Sequence, residues 1–96
     1  MRKHGRIDDN QVEIVAALRA IGCTVQSLAG VGFGCPDVLA GRNGRNYLIE
    51  VKDGSKPPSA RALTGQEAIW INEWKGKVAV VNNVKEALAA VGAAMQ

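Results

Sequence analysis

The sequence predicts one α/β domain with its elements in the order α-β-β-β-α-β-α. Three observations carry that order. Two strand-like runs meet at Asn43-Gly44, the strongest short-range hairpin signal, because a type I′ turn needs φ > 0 at both central positions. Thr64-Gly65-Gln66-Glu67 is a capping box that opens a helix. Val78-Ala79-Val80-Val81 is a continuous apolar run, the pattern of a strand buried on both faces.

The first helix is expected over about residues 10–21. Asp8, Asp9 and Asn10 supply N-cap candidates and Gly22 ends it. At 100° per residue, Ile14, Ala17, Leu18 and Ile21 form its apolar stripe, with Arg19 opposite. Glu13 sits at the margin of that stripe, where a carboxylate near a helix start is already favoured by the macrodipole. A short strand is expected over residues 23–28. The glycine-rich stretch Gly30-Val31-Gly32-Phe33-Gly34 then leads into a strand rather than a helix, so it is a turn and not a dinucleotide fingerprint. The hairpin strands cover residues 37–41 and 46–53. Residues 54–63, with Pro57, Pro58, Ser55 and Ser59, are expected as a loop. A helix then runs from the capping box to about residue 75, stopped by Gly76. A strand over residues 77–82 leads to a last helix, capped by Asn83 with Glu86 three residues on and extending to about Met95.

The hairpin register has a chemical consequence. With Asn43 and Gly44 as the loop, Arg42 faces Arg45, Ala40 faces Tyr47, Val38 faces Ile49, and Asp37 falls opposite Glu50. Directly opposed side chains lie about 5 Å apart at Cβ, and like charges there destabilise the sheet unless compensated. A hard cation is the simplest compensation, since Mg²⁺ is commonly held by one or two carboxylates plus water and phosphate. Alternation puts Lys52 on the same side as Glu50, while Tyr47, Ile49 and Val51 face the other way. Three charges therefore interrupt what should be core, which points to chemistry or to an ion pair.

Composition narrows the classes. Ninety-six residues, 47% of them hydrophobic, make a single folded domain behind a basic arm at residues 1–7. The formal charge of +3 permits a polyanionic partner. Cys23 and Cys35 lack CxxC spacing and accompany a single histidine, so free thiols of a cytoplasmic protein are expected rather than a zinc site. No apolar run approaches the roughly 20 residues of a membrane span. No phosphate-binding loop signals a nucleotide cofactor. Ser-His-Asp and Cys-His designs have no histidine in the fold, because His4 lies in the arm.

Pro36-Asp37, followed by Glu50-Val51-Lys52 on the next strand, resembles the active-site motif of the PD-(D/E)XK nuclease superfamily. The short spacing and compact chain look most like its VRR-NUC (virus-type replication-repair nuclease) branch, and the match in element order covers essentially the whole chain. The resemblance implies a restriction-endonuclease-like αβββαβα core with a mixed central sheet flanked by helices. It implies phosphodiester hydrolysis of DNA with Mg²⁺ or Mn²⁺. Asp37 and Glu50 would hold the ion with the backbone carbonyl of Val51, and Lys52 would position the attacking water or stabilise developing charge. Glu13 would serve a second ion or an outer shell, and Gln66 would orient Lys52 or the phosphate. Lys56, Arg61, Arg6 and Arg42 are candidate nucleic-acid contacts. Standalone VRR-NUC proteins resemble Holliday junction resolvases, so the resemblance implies a homodimer cutting four-way junctions, from a phage or bacterium, with Val12, Val15 and the tryptophans as interface candidates. A nuclease for linear duplex, flaps or RNA, and a non-catalytic DNA-binding module of the same fold, are the alternatives.

Overall fold

The computed structural model describes residues 9–93. The basic arm with Arg6, the cap candidate Asp8, and Met95 lie outside the described residues. Eight elements follow in order: α1 (Asp9–Ala20), β1 (Thr24–Ser27), β2 (Val38–Arg42), β3 (Arg45–Val51), α2 (Pro58–Arg61), α3 (Gly65–Glu73), β4 (Val78–Val81) and α4 (Val84–Ala90). The four strands form one sheet in the order β1-β2-β3-β4. β1, β2 and β3 are antiparallel neighbours, and β4 joins β3 in parallel, as a helical crossover between β3 and β4 requires.

The hairpin adopts the expected register, with Val38 opposite Ile49, Ala40 opposite Tyr47 and Arg42 opposite Arg45. Its turn has φ +52° at Asn43 and +77° at Gly44, the backbone that a type I′ turn demands. Alternation then sorts the side chains. Val38, Ala40, Ile49 and Val81 face one side, where they pack with Ile14 and Leu18 of α1 and with Ala87, Leu88 and Val91 beside them. Burial of each fully enclosed Ile, Leu or Val contributes roughly 1.5–3 kcal/mol, so this layer between sheet and two helices is the main source of stability.

The opposite face is covered less completely, and here two expectations are corrected. β4 is an edge strand and Val80 remains 42% exposed; the Val78–Val81 run is buried on one face only, because α1 and α4 both lie on the other side. Ile21 is likewise exposed, since α1 ends at Ala20 and the chain turns away before the stripe completes another turn.

Local chemistry accounts for the other differences. The loop after β3 contains a short helix, Pro58–Arg61, with proline at its first turn, where a missing N–H removes no helical bond. α3 stops at Glu73, two residues short of the expected end, because Trp74 is already extended. Trp70 and Trp74 stack with ring centroids 4.6 Å apart, a contact between successive turns. Asn83 caps α4 through the backbone N–H of Glu86, and the helix ends at Ala90.

Candidate active site

Extending the β2–β3 ladder one step beyond Val38 and Ile49 sets Asp37 opposite Glu50. Two backbone bonds fix Asp37 there: its carbonyl accepts from Leu28 N at 2.8 Å, and its Oδ2 accepts from Val51 N at 2.7 Å. The contact made by Val51 to this carboxylate is thus through its amide. Glu50 is only 2% exposed, and its Oε1 has no hydrogen-bond partner. Lys52 lies on the same side, with Nζ 3.5 Å from Glu50 Oε2 and 2.7 Å from Glu67 Oε1.

Glu67 is the residue that sequence reading confined to a capping role. The capping box is present, and the same oxygen serves both purposes: Glu67 Oε1 accepts from Thr64 N at 2.9 Å and from Lys52 Nζ at 2.7 Å. A carboxylate oxygen has two lone pairs, so capping the helix does not exhaust it. Nothing in the linear pattern places the first turn of α3 beside the end of β3. The one local signal was that a charged residue at N3 has an oxygen to spare.

Electrostatics describe a site short of positive charge. Burial, then the charges of Asp37 and Glu67, push the Glu50 carboxyl up to about 8. Burial also raises Asp37, against the opposing effect of the Val51 amide. Burial would lower the Lys52 ammonium, but the bond and charge of Glu67 outweigh it and hold it above its ordinary value. Burial would raise Glu67, yet the Lys52 bond and the Thr64 amide keep it low. Glu50 therefore retains a proton near neutrality, first because it is buried and then because the Lys52 ammonium does not offset the charges of Asp37 and Glu67.

A hard divalent cation suits this arrangement. The donors are oxygens, two carboxylates oppose each other, and one buried Glu50 oxygen is unsatisfied, which ordinarily carries a free-energy penalty. Among the described residues no group of three His, Cys, Asp or Glu side chains is arranged to hold a metal, so the protein's own share would be Asp37, Glu50 and backbone oxygen, with solvent or substrate completing the shell.

The remaining candidates are dispersed. Glu13 is exposed on α1 and lines an open cleft with Asp53, Ser55 and Asn83, a set that includes neither Asp37 nor Glu50. Its neighbour Asn10 reaches the site strand instead, donating through Nδ2 to the Lys52 carbonyl. Gln66 is exposed at the start of α3, and Lys52 pairs with Glu67 beside it. Arg42 donates to the Val91 carbonyl at 3.1 Å, tying the hairpin to the end of α4. Lys56 is exposed, and its carbonyl accepts from Arg61 Nε at 2.7 Å. Cys35 and Cys23 are free thiols; burial and then the charges of Glu50 and Asp37 raise Cys35.

No family model and no curated protein matches the sequence. Among solved structures, a chain described as a VRR_NUC domain superposes with a TM-score of 0.62 at 23% identity, over 84% of this chain and 88% of that one. Likeness at that identity is a statement about fold. The protein has the fold of a VRR-NUC domain, a restriction-endonuclease-like arrangement of a four-stranded mixed sheet flanked by helices.

Proposed function

We propose that this protein is a divalent-metal-dependent nuclease that hydrolyses phosphodiester bonds of DNA, selecting its substrate by structure. The observation that carries the reading is the buried Glu50 with an unsatisfied oxygen, set opposite Asp37 and beside Lys52 in a chain of VRR-NUC fold. A structural ion pair would need one acid. This site has three around one ammonium; Lys52 pairs with Glu67 at 2.7 Å, which leaves buried Glu50 and Asp37 without a full counter-charge.

Asp37, Glu50 and the Val51 carbonyl would hold Mg²⁺ or Mn²⁺, which supplies Lewis acidity for water and phosphate. The chain's own residues do the rest. Asp37 is aimed by the Val51 amide. Lys52 supplies a fixed positive charge for the oxygens that become more negative as the phosphoryl group is attacked. Glu67 holds that ammonium in place, the orienting part that sequence reading gave to Gln66. Glu13 and Gln66 stay in the proposal as groups reaching the site only with substrate or a second ion bound.

The finer reading is a homodimeric, Holliday junction resolvase-like endonuclease. It draws on exposed Val12, Ile69 and Trp74, which a second copy would cover. The test is cleavage of labelled four-way junction, flap, linear duplex and RNA with Mg²⁺, Mn²⁺ or EDTA, comparing wild type with Asp37→Ala and Lys52→Ala. Symmetric junction nicking that needs metal and both residues supports the whole reading. Metal-dependent cutting indifferent to structure retains the nuclease and removes the resolvase. Binding without cleavage on every substrate leaves a DNA-binding module. Sedimentation of a monomer at micromolar concentration removes the dimer.

A further inference from the structure

Phe33 is held in a conformation that its own chemistry disfavours. Its φ is +58°, between Gly32 at +76° and Gly34 at +85°, and bulky residues rarely occupy the left-handed region because Cβ crowds the backbone. Its side chain gains nothing in return from packing, being 83% exposed. Strain that no interior contact repays is characteristic of segments shaped for a ligand.

The segment packs beside the candidate site. A Cβ built on Gly34 would stand 2.3 Å from the Gln66 carbonyl oxygen and 2.6 Å from its carbon, so the loop backbone lies directly against the first turn of α3. That turn carries Glu67 and its hold on Lys52. On the other side, Cys35 N donates to the Gly32 carbonyl at 3.1 Å, and the Cys35 thiol is close enough to feel Glu50 and Asp37. Phe33 lies four positions before Asp37, at most about 14 Å of chain, or roughly four base steps of a stacked strand.

We infer that Phe33 is a base-stacking residue at the rim of the site, which engages an unpaired or unstacked nucleobase close to the phosphate being cut. An aromatic face stacks on any base and so confers no sequence preference. In continuous duplex both faces of each base are already covered. Bases with a free face occur at branch points, bulges, flaps and ends, and an exposed aromatic beside the site favours those structures over linear duplex. The inference rests on the nuclease reading and gives it a physical basis for selecting structure.

The test uses full-length wild type, Phe33→Gly and Phe33→Tyr, with duplex, bulged and four-way DNA carrying 2-aminopurine at an unpaired or branch-point position. Binding and fluorescence are measured with Ca²⁺ in place of the catalytic metal, and cleavage separately with Mg²⁺ or Mn²⁺. Glycine is at ease at this φ, so Phe33→Gly is expected to melt several degrees higher. It should nevertheless bind bulged and branched DNA roughly tenfold to a hundredfold more weakly, lose the 2-aminopurine quenching, and bind linear duplex as wild type does. Phe33→Tyr should retain both binding and quenching. Equal affinity and quenching for Phe33→Gly and wild type overturn the inference, as does a Phe33→Gly protein that changes only its oligomeric state. Wild type that quenches 2-aminopurine but never cleaves supports the stacking and removes the nuclease reading. Wild type that binds no DNA removes both.

Discussion

Replacing Glu50 by glutamine should stabilise this protein while removing a ligand of the proposed cation site. The free carboxyl titrates at 4.5 and the folded one at about 8, so between those values the folded state binds more protons than the unfolded one. Stability contributed by protonated Glu50 is therefore complete below pH 4.5, falls as pH rises through the window, and is lost above pH 8. The linkage relation sets the loss attributable to Glu50 at roughly 3 kcal/mol by pH 7 and about 5 kcal/mol beyond pH 8. Glutamine keeps the shape, does not titrate, and places N–H donors where Asp37 and Glu67 can accept. Urea unfolding in EDTA, followed by tryptophan fluorescence from pH 5 to 9, should show wild type losing stability across the range. Glu50→Gln should be nearly flat there and more stable than wild type by roughly 4 kcal/mol at pH 8. Mg²⁺ should narrow that gap by stabilising wild type alone, because an ion that binds only the folded state raises its stability by mass action. Wild-type stability independent of pH between 5 and 8, or a Glu50→Gln protein no more stable at pH 8, would refute the view that Glu50 is an uncompensated buried acid.

Four further outcomes are expected. Glu67→Gln preserves the capping-box pattern but takes the carboxylate from Lys52, so cleavage should fall roughly 10–100-fold with little change in melting temperature. Thr64→Ala should do the reverse, lowering stability by about 1 kcal/mol with turnover per folded molecule retained; similar activity losses in both would make Glu67 a cap only. Gly34→Ala forces a Cβ into the Gln66 peptide at φ +85° and should destabilise by roughly 2 kcal/mol or more, read by urea unfolding. Asn10→Ala removes the bond to the Lys52 carbonyl and should reduce stability by about 1 kcal/mol, with faster amide exchange at the end of β3 as its signature.

The hairpin shows what a single sequence can specify. Asn43-Gly44 fixes the turn, the turn fixes the register, and the register places Val38 against Ile49 and one acid beside another. Each step involves residues adjacent in the chain or directly across the ladder, so turn chemistry and a period of two suffice. The capping box at Thr64 and the Asn83 cap are equally local, and both form. The apolar stripe of α1 was legible up to Leu18, and failed at Ile21 because the helix ended one residue before it.

Pattern alone does not say which faces are covered. Val78–Val81 reads the same whether one layer or two lies upon it, and only the placing of α1 and α4 on one side leaves Val80 in solvent. The same limit applies to the charges. Lys52 and Glu67 are fifteen positions apart, and their 2.7 Å contact exists because α3 packs its first turn against the end of β3. Arg42 reads only as a hairpin cation, and its bond to the Val91 carbonyl appears when α4 packs beside the hairpin. Asn10 reads as a helix cap until α1 crosses the site strand, and Phe33 reads as an ordinary loop residue until its backbone angle is known. The sequence by itself determined the element order, the hairpin register and the opposition of Asp37 to Glu50, because those follow from contacts between chain neighbours and ladder partners. Tertiary packing decided which acid pairs with Lys52 and which Glu50 oxygen is left buried without a partner, because those relationships arise only when separate elements meet.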